Sequence, residues 1–284
     1  MKIDLHTHSS RSDGTDSPSE LVARAVSLGL TTVALTDHDT FEGLEEAAEA
    51  AQRYGIGFVP GAEFSTTYED RHVHLLGYWV DQNDAPLLAE MNSALENRRN
   101  RLPLTIKKLA ELGMPISYED VLVEATNSVT LGRPHVADAL VSKGYVSNRT
   151  QAFADYLATG GPAYVHSRYT SLIEMIRLIQ GAGGVAILAH PLAEGRGELS
   201  FLEVESLVRD FGVDGFEVDH QDHSPQERAL LREIGQSLGC IMTGSSDYHG
   251  TGKLNHELAC NTTSLDMFER LRDLAVLRHT PPNG

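Results

Sequence analysis

Cysteine is nearly absent: the 284 residues contain two, Cys240 and Cys260. Two thiols make neither a disulfide framework nor a thiolate zinc knuckle. Long apolar runs are missing too. The longest, Val185 to Ala189, falls far short of the roughly 20 residues that cross a bilayer, so no membrane partner is expected. The opening Met1-Lys2-Ile3-Asp4-Leu5-His6 carries no apolar signal stretch, and the expected location is cytoplasmic. Positive charge is scarce. Lys and Arg number 23 against 40 Asp and Glu, a net charge of −17. That balance repels polyanions and excludes a duplex DNA coat as the main role. An anionic substrate would need a local positive centre.

What remains is ordinary for a folded enzyme. Hydrophobic residues make up 41% and 25 residues are Gly, and the length fits one large α/β domain or a domain with a smaller insert. Short apolar runs alternate with helical patterns at both ends of the chain. Strands are predicted at Ile3 to Leu5, Thr32 to Leu35, Gly57 to Pro60, Val73 to Tyr78, Gly184 to Ala189, Gly215 to Val218 and Cys240 to Thr243. Ser17-Pro18-Ser19-Glu20 reads as a capping box with Pro at the first helical position, opening a helix that stops at Gly29. Thr40 is the expected cap of the next helix, which ends at Gly55. From 85 to 161 only helical periodicity appears, broken at Gly113-Met114-Pro115, Gly132-Arg133-Pro134 and Gly160-Gly161-Pro162. The expected organisation is a barrel domain, 1–84 plus 162–284, interrupted by a helical insertion domain, 85–161. The pattern favours parallel strands and a barrel-like α/β core, with an open doubly wound sheet as the rival.

Thirteen histidines stand out, and many follow strands. His6-Thr7-His8 ends the first, with Asp13 in the next loop, and Thr36-Asp37-His38-Asp39 ends the second. Glu63 ends the third, His74 lies in the fourth, His190 follows the fifth and Asp247-Tyr248-His249 the seventh. In parallel α/β folds the carboxyl ends of the strands share one rim. Residues i and i+2 of extended chain face the same way, so His6/His8 and Asp247/His249 can each act as a pair. Any one of these histidines could be a satisfied loop residue; nine donors at strand ends together read as a metal site. Imidazole plus carboxylate without thiolate suits Mn, Fe or Zn, and nine donors exceed one ion, so two or three divalent ions sharing a carboxylate are expected. Three carboxylates against two or three such ions leave a cationic pocket inside an acidic protein, suited to a small phosphorylated substrate.

These motifs, with Gly61-Ala62-Glu63-Phe64-Ser65 and Ala189-His190-Pro191, resemble the PHP (polymerase and histidinol phosphatase) superfamily. The resemblance covers most of 1–82 and 163–270. It implies a distorted (β/α)7 barrel and a two- or three-metal phosphoesterase site. In the family pattern His6, His8, Glu63 and Asp247 hold one ion; Glu63 as a bridge, His74 and His190 a second; Asp13, His38 and His249 a third. Some relatives carry His where this chain has Asp13. The insert, with Asn97-Arg98-Arg99-Asn100-Arg101 and Gly132-Arg133-Pro134-His135, is similar to that of 3′,5′-nucleoside bisphosphate phosphatases, which release the 3′-phosphate.

Phosphate ester hydrolysis then implies a metal-bridging hydroxide held by Glu63, Asp247 and His190, Mn being the expected metal. Arginine matches phosphate through its planar fork. Arg98, Arg99 and Arg133 are the candidate ligands of the 5′-phosphate, with Pro134 and His135 opening a helix whose free N–H groups could assist; a solvated helix face is the plainer account of the arginines. His223 is the candidate leaving-group acid at the rim. Asp37 and Asp39 read as partners that orient His38. Tyr164, Tyr169 and Trp79 could stack on a base, although core packing accounts for them; His72, His166, His256 and His279 are read as surface or structural. The expected substrate is a nucleoside 3′,5′-bisphosphate such as adenosine 3′,5′-bisphosphate. The alternatives are 5′-to-3′ trimming of short RNA, histidinol-phosphate hydrolysis, and a metal-binding regulatory module without turnover. No oligomeric state follows from the sequence.

Overall fold

In the computed structural model, residues 1–125, 128–166, 169–193 and 198–280 are described. Seven strands lie side by side in chain order: β1 (Ile3–Asp4), β2 (Thr32–Leu35), β3 (Gly57–Tyr68), β4 (Arg71–Tyr78), β5 (Val185–Leu188), β6 (Gly215–Asp219) and β7 (Ile241–Gly244). Pairing β1 to β7 in sequence curls the sheet towards closure. Just beyond the strand ends the rim is joined by a parallel bridge between Thr7 and Tyr248 and by Asp4, whose carboxylate accepts from the Ser246 and Ala259 amides. The result is a nearly closed barrel, as the family pattern implies.

All seven predicted strands are present, but they are not all parallel. β4 runs antiparallel to both β3 and β5, whereas β1–β2, β2–β3, β5–β6 and β6–β7 are parallel. The cause is local. β3 continues past Pro60 for eight more residues, to Tyr68, and a two-residue turn at Glu69-Asp70 returns the chain as β4. Both turn residues have positive φ, 46° and 65°, the conformation that matches a hairpin turn to strand twist and usually draws Asn or Gly. Because β4 is reversed, its first half lies at the rim where the other strands end, and Ser65 faces His74 across the pair.

The helices around the barrel are α1 (Pro18–Ser27), α2 (Leu44–Tyr54), α7 (Leu172–Gly181), α8 (Phe201–Arg209), α9 (Pro225–Leu238) and α10 (Leu265–His279). α1 opens with the predicted Ser17/Glu20 capping box. α2 departs from expectation: it begins at Leu44 behind Gly43, and the Thr40 hydroxyl instead accepts from the Glu42 amide in the preceding turn. Its end at Gly55, φ 68°, is as predicted.

Between β4 and α7 lie α3 (Ala85–Glu111), α4 (Tyr118–Glu124), α5 (Arg133–Ser142) and α6 (Arg149–Ala152), the last continued by a π turn, Phe153–Leu157. These helices bury a cluster of their own, including Leu109, Val121, Leu140 and Leu157, separate from the apolar clusters of the barrel. Polar ties fasten them to the rim. Val129 N–H donates to the Arg11 carbonyl and Arg149 Nη1 to that of Asp13.

Candidate metal centre

The rim gathers the donors into overlapping groups. The Nε2 atoms of His6 and His8 lie 3.0 Å apart. Each lies 3.4 Å from Asp247 Oδ1, and they stand 3.3 and 3.1 Å from Glu63 Oε2. His249 Nε2 is 3.3 Å from Asp13 Oδ1, and His38 Nε2 is 3.7 Å from Asp13 Oδ2. Glu63 also meets His38 Nδ1 at 3.2 Å, His74 Nδ1 at 2.8 Å and His190 Nε2 at 3.1 Å. His6, His8, Glu63 and Asp247 form one group able to hold an ion, His38, Glu63 and His74 another, and His8, Asp13, His38 and His249 a third. Glu63 belongs to two of them through its two oxygens. His8 and His38 each face two groups with opposite ring nitrogens. Asp39 and Asp247, in the loops that carry these donors, both sit at φ 52°, backbone strain of the kind held at functional sites.

The donor set fits divalent cations on an observation of its own. Among the described residues, the Nδ1 atoms of His8, His38 and His74 are buried and make no hydrogen bond. Yet His74 Nδ1 approaches a Glu63 oxygen as closely as a hydrogen bond would. Buried polar atoms are ordinarily paired, and ring nitrogens left without a hydrogen bond beside carboxylates, His8 by Asp13 and His38 and His74 by Glu63, are the pattern of ligation. Burial holds the His38 imidazole well below its usual range and His249 at about 4, so both present lone pairs at neutral pH. His8 is the reverse case. Against the opposing effect of burial, Asp247 and Glu63 raise it to about 9, a sign that the carboxylates call for positive charge.

Two supports were not foreseen. Glu217, inside β6 and fully buried, accepts from His6 Nδ1 at 3.2 Å, from the His190 amide at 2.7 Å and from Ser245 Oγ. That contact fixes the His6 tautomer and turns Nε2 to the cluster. His220 Nε2 lies 3.5 Å from Asp247 Oδ2. Asp37 and Asp39 do not orient the His38 ring. Asp37 accepts from the Ser9 amide and from Ser9 and Ser12 hydroxyls, bracing the loop between His8 and Asp13. Asp39 accepts from the Ser65 amide and from Arg98.

A cavity of about 490 Å³ opens over the donors, and the insert contributes Arg98, Arg101, Arg133 and Pro134 to its wall. Arg99 is exposed instead. On a helix, residues three apart share a face and adjacent ones do not, so Arg101 takes the place expected for Arg99. Arg98 lines the wall but is committed, with Nε 3.0 Å from Asp39 Oδ2 and Nη2 2.7 Å from Ser65 Oγ. Arg133 packs against the Phe153 and Tyr164 rings, 5.7 and 5.5 Å to their centroids. Burial and the neighbouring Arg101 bring it down to about 10, and burial beside the same guanidinium groups brings His72, on the same wall, to about 3. Anionic ligand charge would relieve this crowding.

Other expectations are corrected. His223 is buried, its ring engaged by the Val218 carbonyl and the Leu192 amide, and is not among the residues that line the main cavity. His135 turns its Nδ1 back to the Gly132 amide and lines a neighbouring cavity of about 480 Å³. Trp79 packs with Phe268 against the barrel core, in line with the core-packing reading. Tyr169, His72 and His256, by contrast, do line the main cavity. Among the described residues no helix is long and apolar enough to cross a membrane.

The PHP domain matches residues 4–127. Over 251 residues the chain is 37% identical to a 5′-3′ exoribonuclease of Haemophilus influenzae, covering 87% of this chain and 90% of that protein. Over 254 residues it is 35% identical to a 3′,5′-nucleoside bisphosphate phosphatase of Chromobacterium violaceum, covering 88% of each. A crystal structure of a candidate metal-dependent phosphoesterase from Bifidobacterium adolescentis superposes with a TM-score of 0.90 at 34% identity, over 96% of both chains.

Proposed function

The chain belongs to the PHP-domain family of metal-dependent phosphoesterases, and we propose that it removes the 3′-phosphate from nucleoside 3′,5′-bisphosphates. One observation carries this reading: a single cavity has the metal donors on one wall and Arg101 and Arg133 on another, so two phosphates of one substrate find separate partners. His6, His8, Asp13, His38, Glu63, His74, His190, Asp247 and His249 would hold the ions, manganese being the expected metal among the three, Mn, Fe and Zn, that such nitrogen and oxygen donors suit. When bound, such ions supply an activated water and neutralise charge on the phosphoryl oxygens.

The chain's own residues supply orientation. Glu217 and the His249 contact to the Asp247 carbonyl, 2.8 Å, fix which ring nitrogen each histidine presents. Arg101 and Arg133 receive the 5′-phosphate and set the distance from it to the phosphate that is cleaved. Arg98 anchors helix α3 to the rim, so that the arginine wall keeps its place over the donors. The segment 85–161 thus acts as a substrate-binding lid domain on the barrel. The site works inside an acidic protein because cations and guanidinium groups meet at this one cavity.

The test is release of phosphate, with manganese, from a bisphosphate, a 3′-monophosphate and a 5′-monophosphate, and release of mononucleotide from a short oligonucleotide. The bisphosphate is expected to give the highest kcat/KM; a preference for the oligonucleotide would favour 5′-to-3′ trimming of RNA. That second reading has an observation behind it. The neighbouring cavity shares Arg149, Thr150, Gly252 and Leu254 with the main one, room for chain beyond the cleaved phosphate.

A further inference from the structure

The arginines of the insert are held in two different ways. Arg98 pairs with Asp39, and Arg149 grips Asp138 with two nitrogens, Nε 2.6 Å from Oδ1 and Nη2 2.5 Å from Oδ2. Arg133 pairs with no carboxylate among the described residues. Its Cζ stands over the Phe153 ring, 5.7 Å from the centroid, and over that of Tyr164, 5.5 Å from the centroid. A guanidinium has five N–H donors. One of them, on Nη1, donates to the Leu157 carbonyl at 3.1 Å, and the others make no hydrogen bond to the described residues.

These contacts come from separate stretches of chain. Arg133 opens α5 behind Gly132, whose extended backbone and amide bond to His135 Nδ1 fix the helix start. Phe153 and Leu157 open and close the π turn, in which the Ala158 amide reaches back five residues to the Phe153 carbonyl at 3.0 Å. Turns of that width are rare and recur at functional sites; here one turn delivers both a ring and a carbonyl to the same guanidinium. Tyr164 follows the Gly160-Gly161-Pro162 break. Its carbonyl accepts from Lys108 Nζ on α3 at 2.6 Å, and its ring meets His72 of β4 edge-on, 6.3 Å between centroids. A carboxylate beside Arg133 would neutralise it and occupy its fork of donors. Aromatic faces attract a cation through the ring quadrupole and occupy no donor. Arg133 and Phe153 both line the main cavity.

We propose that Phe153 and Tyr164 are positioning residues of the second phosphate site, their rings holding the Arg133 guanidinium at the cavity with its charge and most of its donors kept for phosphate. The inference rests on the reading of Arg133 as the partner of the phosphate that is not cleaved. Burial disfavours this cation, and the two ring faces offset part of that cost. Neither ring is asked to touch the reacting atoms. Their contribution falls on affinity for a substrate with two phosphates, and the cleavage step stays with the metal donors.

The experiment measures kcat and KM, with manganese, on adenosine 3′,5′-bisphosphate and on adenosine 3′-monophosphate. It compares wild type, Arg133→Ala, Phe153→Leu, Tyr164→Leu and Tyr164→Phe with a series in which Phe153 is replaced by phenylalanines of increasing ring fluorination. Fluorine withdraws charge from the ring face and nearly keeps the shape of the ring, so the series reads the ring's attraction for the cation apart from its packing. Phe153→Leu and Tyr164→Leu are each expected to raise KM for the bisphosphate about tenfold, the worth of a desolvated cation–ring contact. KM for the 3′-monophosphate should move far less, and kcat should change little. Tyr164→Phe, which keeps the ring, should recover what Tyr164→Leu loses, and KM for the bisphosphate should climb with each step of fluorination. The fluorinated series keeps the test open should Phe153→Leu fail to fold. An unchanged KM along that series would overturn the proposal, since the ring would then serve as packing alone; so would an equal rise for both substrates. If Arg133→Ala raises KM for the bisphosphate and the ring variants do not, this inference falls and the substrate reading stands. If Arg133→Ala leaves that KM unchanged, the reading of Arg133 falls and this inference with it.

Discussion

Arg98 and Asp39 form a buried ion pair, Nη2 to Oδ2 2.9 Å, that joins the long helix of the insert to the loop carrying His38. Asp39 completes the tie by accepting from Ser65 on β3. Leaving one partner of such a pair buried and alone costs about 3–5 kcal/mol. Arg98→Ala should therefore lower the melting temperature by several degrees, read by circular dichroism. Arg99→Ala, one residue away on the exposed face, should leave it within the scatter of a surface substitution.

Arg133 is assigned to the second phosphate. Loss of a charge-assisted hydrogen bond of about 1.5–3 kcal/mol corresponds to roughly 10- to 100-fold in affinity. Arg133→Ala should raise KM for the bisphosphate by that factor and change KM for a 3′-monophosphate little. Equal losses on both substrates would contradict the assignment.

Glu217 touches no substrate in this account; it orients His6 and receives the His190 amide. Partners of this kind are worth about 10- to 100-fold in metal affinity. Glu217→Gln should weaken manganese binding by that amount in a calorimetric titration, and excess manganese should recover most of the activity.

The hairpin that carries His72 and His74 is pinned to α8 by Arg71, which pairs with Glu203, a residue that also closes the α8 capping box. The bond from Arg71 brings Glu203 from 4.5 down to about 2. A carboxyl lowered in the folded state contributes stability above its unfolded value and loses it as pH falls towards the folded one. At neutral pH, Glu203→Gln should thus melt slightly below wild type, by no more than about 1 kcal/mol for a partly exposed pair. The two melting curves should converge as pH falls from 4.5 to 2.

The strands were legible because each is a short β-branched or apolar run bounded by turn residues, and the clustering of the nine candidate donors because all but His74, which lies within β4, come after those runs. The reversal of β4 was not, since strand direction depends on the Glu69-Asp70 turn, which lacks the Gly or Asn that marks such hairpins. Arg101 could have been found: its spacing of three from Arg98 puts both on one helical face, and adjacency alone favoured Arg99. Glu217 carried a quieter signal, an acidic residue within the buried run Phe216-Glu217-Val218. Lys253 and His256 lie in an irregular loop, where no periodicity says which side chains turn inward; only the folded path of the chain after β7 brings them to the cavity.

The central claim is that the nine donors grip several cations at one mouth of the barrel. Diffraction data collected on either side of the manganese absorption edge, from crystals grown with manganese, test it most directly. The account predicts two or three anomalous peaks among these side chains, with Glu63 between two of them. Manganese-soaked crystals in which these imidazoles and carboxylates surround no peak would contradict it.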